Sequence, residues 1–164
     1  MQTFLPSVSF EVSARLLDDR RLGKQVVECR QIARALTGGP SAGWARHPAV
    51  LMWEGHLGSL LTYARAMAEE WSSRRGTPDR WHMAWVNMLL DHEQVIRAHH
   101  PAFKAPPAWL GDERLHGSHR AALHRKAPDK YPASWEREAN LYPDYFWPTK
   151  HPDYRAKEHP DGDR

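Results

Sequence analysis

The 164-residue chain has a single cysteine, Cys29. One thiol excludes an internal disulfide and any multi-cysteine zinc site, and Cys29 is expected as a small buried hydrophobe. No apolar run approaches the roughly 20 residues that span a bilayer. Residues 1–10 lack a basic region followed by a long apolar stretch, so no secretory signal is expected; the chain is assigned to the cytoplasm, with no membrane partner. It has no phosphate-cradling glycine loop, no dinucleotide fingerprint and no nucleophile elbow. No cofactor and no metal are expected. No strand period and no internal repeat stand out. Charge of one sign is scarce too: 23 Lys and Arg against 20 Asp and Glu leave +3, too little by itself to argue for nucleic acid.

What is present is a helical pattern. With 41% hydrophobic residues and eight tryptophans, the chain can build one core and is too short to expect two. The fold class is all-α: a single compact, monomeric helical domain over residues 1–150. An N-terminal arm precedes it, and an aromatic, proline-rich segment from Ala127 to Lys150 wraps over the core. Residues 151–164 form a polar tail expected to fray. A short helix is expected over Glu11–Leu17. Asp18 or Asp19 caps a second running to about Leu36, with Leu22, Val26, Cys29, Ala33 and Leu36 on one face. Thr37-Gly38-Gly39-Pro40 stops it. The strongest apolar stripe begins near His47-Pro48 and continues through Val50, Trp53, Leu57, Leu60, Leu61, Ala64, Met67, Ala68 and Trp71 as one helix. Gly55 and Gly58 within it suggest a close approach by another helix or a ligand. Further helices are expected over Asp79–Ala98 and Asp112–Lys126.

Three constellations carry possible chemistry. Arg20, Arg21 and Lys24 sit in the first turns of the second helix, where cations are disfavoured by about 0.3–1 kcal/mol each at exposed sites. Free N–H groups and positive side chains together suit a phosphate. A solvated face with a Lys24–Glu28 pair is the alternative. His116, Arg120 and His124 are spaced by four, with His119 alongside, and can hold backbone phosphates; arginine in the stripe argues against a cation site. Trp44, Arg46 and His47 precede a helix, with Glu54 and His56 beyond. That group can stack on a base and hold its phosphate, or Trp44 can pack as a staple at the helix entry.

Taken in order, Leu17-Asp18-Asp19-Arg20-Arg21-Leu22-Gly23-Lys24-Gln25, His47 through His56, Trp109-Leu110-Gly111-Asp112-Glu113, Ser118-His119-Arg120, Lys126 and Tyr131-Pro132 resemble the pyrimidine-dimer DNA glycosylase (phage-type endonuclease V) family, in particular its bacterial branch. The likeness runs over roughly residues 1 to 148. It implies an all-helical DNA repair glycosylase that flips a nucleotide out of duplex DNA. It also implies an amine that attacks the sugar to form a Schiff base, with AP-lyase activity following. The family's glutamate position is Arg21 here, so the assisting carboxylate would be Glu28 or Asp19. Gln2 is too bulky for efficient removal of Met1, which makes the Met1 amine the expected nucleophile and Lys24 its substitute. Gln2, Arg20, Arg21, Trp44, Arg46, His47, His56, His116, His119 and Arg120 form the expected DNA-contact set. A non-catalytic DNA-binding module and a tryptophan-rich protein-interaction domain are the competing readings.

Overall fold

The chain begins its ordered path as an extended arm and turns into α1 (Phe10–Leu16), one residue earlier than the pattern suggests. The earlier start has a local cause: the Ser9 hydroxyl accepts from the Val12 N–H at 3.1 Å and so caps the helix. The computed structural model describes residues 2–37, 44–76, 87 and 106–148, and among these every regular element is helical.

Helix α2 (Asp19–Thr37) follows after two residues. The Asp18 carboxylate accepts from the Arg21 N–H at 3.1 Å, which settles the choice of cap in favour of Asp18 over Asp19. The corner between α1 and α2 is closed by one guanidinium. Arg74 donates to the carbonyls of Ala14, Arg15 and Leu17 and to the Asp19 carboxylate. These lie at the end of α1, where a helix leaves its last carbonyls short of partners; Ala14 also accepts from the Leu17 N–H at 3.2 Å. The buried face of α2 carries Leu22, Val26, Cys29 and Ala33 as the period predicts, together with Ile32 and a buried Gln25.

The long stripe expected from His47 onward is two helices, not one. Helix α3 (Pro48–Leu51) is a single turn capped by His47, whose Nδ1 accepts from the Ala49 N–H at 3.1 Å. A turn ending at Gly55 separates it from α4 (Leu57–Arg75). Gly55 has φ 76°, and a side chain there would meet nothing within 4 Å. Gly55 therefore serves the left-handed turn, not the close approach expected of it. Trp53 remains fully buried on that turn, which is why the apolar period reads straight through the break.

Helix α4 packs along α2 and α1. A Cβ on Gly23 would lie 2.8 Å from the Trp71 ring. The close approach thus occurs at a glycine of α2. Helix α5 (Glu113–Lys126) starts at Asp112, whose carboxylate accepts from the Arg114 N–H at 3.0 Å. The chain then wraps as expected. Tyr131 stacks on Trp135 with ring centroids 5.5 Å apart. A 3-10 turn (Ala133–Trp135) and α6 (Glu136–Leu141) follow, two short elements the sequence pattern did not resolve. The Phe146 N–H donates to Ser118 Oγ at 3.0 Å and Trp147 is buried. The expected helix over Asp79–Ala98, the stop at Gly38-Gly39-Pro40 and the tail 151–164 lie outside the described residues.

Gly23→Val is expected to lower the unfolding free energy by about 1–3 kcal/mol, because an overpacked contact must displace a large ring. That ring is itself covered by the Arg75 guanidinium, 4.2 Å from its centroid. Arg65→Ala, at the exposed Arg65–Glu69 pair, should change it by no more than about 0.5 kcal/mol. Urea unfolding of both variants measures the contrast, and equal effects would contradict the close α2–α4 contact.

Candidate active site

Residues 2–6 run extended through the interior, where water cannot satisfy their backbone groups. Such groups cost about 1–3 kcal/mol each when left unpaired. The structure meets this demand with side chains. The Gln2 N–H donates to Glu28 Oε2 at 2.9 Å. Thr3 Oγ1 accepts from the Trp53 indole at 2.9 Å. The Phe4 N–H donates to Gln25 Oε1 at 3.0 Å. The Tyr63 hydroxyl, 2.8 Å from the Phe4 carbonyl and 2.6 Å from Gln25 Oε1, is shared between them. The Leu5 N–H donates to His119 Nδ1 and the Leu5 carbonyl meets His116 Nδ1, each at 2.8 Å. The Pro6 carbonyl accepts from Arg120 at 2.8 Å.

The protonation of this network follows from its partners. His116 Nδ1 faces a carbonyl and must carry the proton there, leaving Nε2 to accept from the Gly111 N–H at 3.1 Å. His119 has the other tautomer. Its Nδ1 accepts from Leu5, so its proton sits on Nε2, 3.0 Å from the Gln2 side-chain amide. A ring N–H there requires the amide oxygen opposite it. The Gln2 amide is therefore oriented with Oε1 toward His119. Burial pushes the Tyr63 phenol well above its ordinary value, which keeps it a donor.

These contacts correct part of the expected DNA-contact set. His116 and His119 are 2% and 0% exposed; both hold the arm, and neither offers a ring nitrogen to a phosphate. Arg120 is spent on the Pro6 carbonyl, Glu113 and Glu138. The stripe is real, but it faces the core because the buried arm needs donors and acceptors more than the surface does. Arg21 is likewise committed. It pairs with Asp18 and lies over the Tyr131 ring, 5.5 Å from its centroid. Burial alone would raise the Asp18 carboxyl, but the Tyr131 hydroxyl and Arg21 outweigh it and hold it below its ordinary value.

Of the two candidate carboxylates, Asp19 is tied to Arg74 at the α1–α2 corner, away from the arm, whereas Glu28 touches it. Met1 lies outside the described residues. Lys24 and Arg20 are exposed on α2, and Trp44 and Arg46 are exposed in the turn before α3. Trp44, at 58% exposure, is no core staple; its ring meets His47 edge-on at 5.5 Å. His47 in turn meets Trp147 at 6.4 Å. Burial first, then the positive chain terminus, lower the His47 pKa against the opposing Glu28 carboxylate. His56 is half-buried, edge-on to Trp109 at 6.4 Å. Gln25, Tyr63 and Asp18 were missed by sequence reasoning. A glutamine on the apolar face of α2 was the available signal. Among the described residues no three His, Cys, Asp or Glu side chains converge as a metal set, and no helix is long and apolar enough to cross a membrane.

Burial, then the neighbouring His116, push His119 down to about 3. An unfolded histidine titrates near 6.5, so between pH 6.5 and 3 the unfolded chain binds a proton that the folded chain refuses. This contribution is full above pH 6.5 and is lost as pH falls through that window. Ring signals of His119 in the folded protein are expected to stay fixed from pH 7.5 to 4.5 by NMR. A midpoint near 6.5 would contradict its role as a neutral bridge between Gln2 and Leu5.

A family model for pyrimidine dimer DNA glycosylases matches residues 1–84 of the 164. The match is shorter than the motif likeness to residue 148. It takes in the arm, α1 to α4 and Glu28, and leaves α5 and the wrap outside. No curated protein and no solved structure matches the chain. A family match over half of the chain, which includes the arm and the Glu28 carboxylate, places the chain in the pyrimidine dimer DNA glycosylase family.

Proposed function

We propose that this chain is a DNA repair glycosylase with AP-lyase activity, in which the Met1 amine is the nucleophile and Glu28 the assisting carboxylate. The observation that carries this reading is the 2.9 Å bond from the Gln2 N–H to Glu28 Oε2. The amine belongs to the residue joined covalently to that same nitrogen, one Cα step of about 3.8 Å along the chain. A terminus is normally the most mobile part of a chain. Here the five residues behind it are held by α2, α4, α5 and Trp53. Such pre-positioning is what a nucleophile needs to approach one carbon in one geometry.

The chemistry balances with these groups and water. The lone pair of the neutral amine attacks C1′ of a flipped nucleotide, the glycosidic C1′–N bond breaks, and the departing base nitrogen takes a proton from solvent. Glu28 takes a proton from the attacking nitrogen and returns it to O4′ as the sugar ring opens, giving the Schiff base. Loss of a C2′ proton then expels the 3′ phosphate, and water frees the amine. Arg20 and Lys24 hold flanking phosphates, and the exposed Trp44 offers a face to a base. Arg21 in the family's glutamate position does not argue for a non-catalytic module, because it is neutralised by Asp18 and Glu28, about two helix turns further along, supplies the carboxylate in this reading.

Glu28→Gln should reduce base release from ultraviolet-irradiated duplex DNA, read after photoreversal splits the joined bases, by about 100-fold or more, the range of a lost general acid–base group. Its affinity for undamaged duplex should change no more than a few-fold. Undiminished release by the variant would overturn the role of Glu28. Absence of base release and of strand cleavage by the unaltered protein, on irradiated and abasic duplexes alike, would overturn the catalytic reading.

A further inference from the structure

Most cations whose contacts are described are spent inside the protein. Arg21, Arg65, Arg74, Arg114 and Arg120 each pair with a carboxylate, and Arg125 donates to two carbonyls. The outer face of α2 is different. Arg20, Lys24, Arg30 and Arg34 are all exposed, and none of their side chains enters a hydrogen bond or ion pair among the described residues. The one exposed acid on this helix, Asp19, is held by Arg74.

The spacing gives these four a shape. At about 1.5 Å per residue, Arg20 to Arg34 spans about 21 Å, or about six base pairs at 3.4 Å each. At about 100° per residue, Arg20, Lys24 and Arg34 fall within an arc of about 80°, with Arg30 at its edge. Val27, 45% exposed, and the exposed Gln31 complete that arc. Glu28 lies on its opposite edge, one turn after Lys24 and two residues before Arg30. Positive charge therefore flanks the carboxylate on both sides along the helix.

We infer that the outer face of α2 is a phosphate rail along which duplex DNA lies, with Arg20 and Lys24 on one side of Glu28 and Arg30 and Arg34 on the other. The inference rests on the DNA reading of the same site. It adds Arg30 and Arg34 as backbone contacts and gives the duplex a direction relative to the helix. Unpaired surface cations held in line release counterions when they meet phosphates, and this makes binding salt-dependent in proportion to their number. Val27 in the middle of the rail makes no polar contact and faces the duplex without competing for it.

The test is the affinity of the full chain for undamaged duplex DNA as a function of salt. Removing two phosphate contacts with Arg30→Ala/Arg34→Ala should make the slope of log K against log salt shallower by about 1.8, at about 0.9 per phosphate. Val27→Glu should weaken binding further without touching any pairing. Arg65→Ala/Arg137→Ala, with the same change in net charge off the arc, should leave the slope unchanged. On damaged duplex the Arg30/Arg34 variant should show a raised KM and an unchanged single-turnover rate. Identical slopes for the two double variants would overturn the rail, as would failure of the unaltered chain to bind duplex at low salt. The expected slopes without any base release would uphold the rail and sink the catalytic reading.

Discussion

A buried extended segment must find a partner for every backbone polar group, and in this protein that requirement organises the interior. Among the described residues the arm over residues 2–6 has no neighbouring strand to pair with. Six of its backbone groups are met by side chains: Glu28 and Gln25 of α2, Tyr63 of α4, and His116, His119 and Arg120 of α5, while Trp53 holds the Thr3 hydroxyl. Removing one such partner leaves a buried group unsatisfied and forfeits the full desolvation penalty, not merely one bond. Four separate elements are thus bound to the first residues of the chain. Helices α2 and α4 pack closely through Gly23 and Trp71 because both must reach the same arm.

The same constraint sorts the charged groups. Around the arm and the helix corners, polar groups are arranged to stay in one protonation state: His119 neutral, Tyr63 a donor, Asp18 ionised between Tyr131 and Arg21. Arg74 and Arg120 are tied by several bonds each and act as fasteners. Four exposed cations, Arg20, Lys24, Arg30 and Arg34, line the outside of α2, on the border of which Glu28 faces the arm. Rigidity within and unpaired charge without meet at that one carboxylate. Such a place suits a reaction on a polyanion, where the reacting group must be fixed and the substrate is drawn in by charge.

Much of the fold was legible because apolar period reports burial. The inward face of α2, the helix beginning near Asp112 and the aromatic wrap all follow from local spacing. The break at Gly55 was not legible, because Trp53 stays buried on the turn and keeps the period intact. Of the site, Glu28 was within reach of sequence reasoning, since it shares a face with Lys24. The histidines were misread for an instructive reason. His116, Arg120 and His124 do form a stripe, but spacing cannot say whether a polar stripe meets solvent or a buried backbone. Only the path of the arm decides that, and residues 2–6 carry no periodic signal that reveals it. Arg21 was the hardest: its partner Tyr131 lies 110 residues away in sequence, beyond any local pattern.

The central proposal is that the amine of Met1 is the nucleophile and works with Glu28, the carboxylate that receives the Gln2 N–H. Borohydride reduction during incubation with abasic duplex DNA, followed by peptide mapping of the trapped adduct, tests it most directly. The account predicts a covalent adduct on the peptide that begins at Met1, attached through its α-amine. An adduct on Lys24, or on any other side-chain amine, would contradict it.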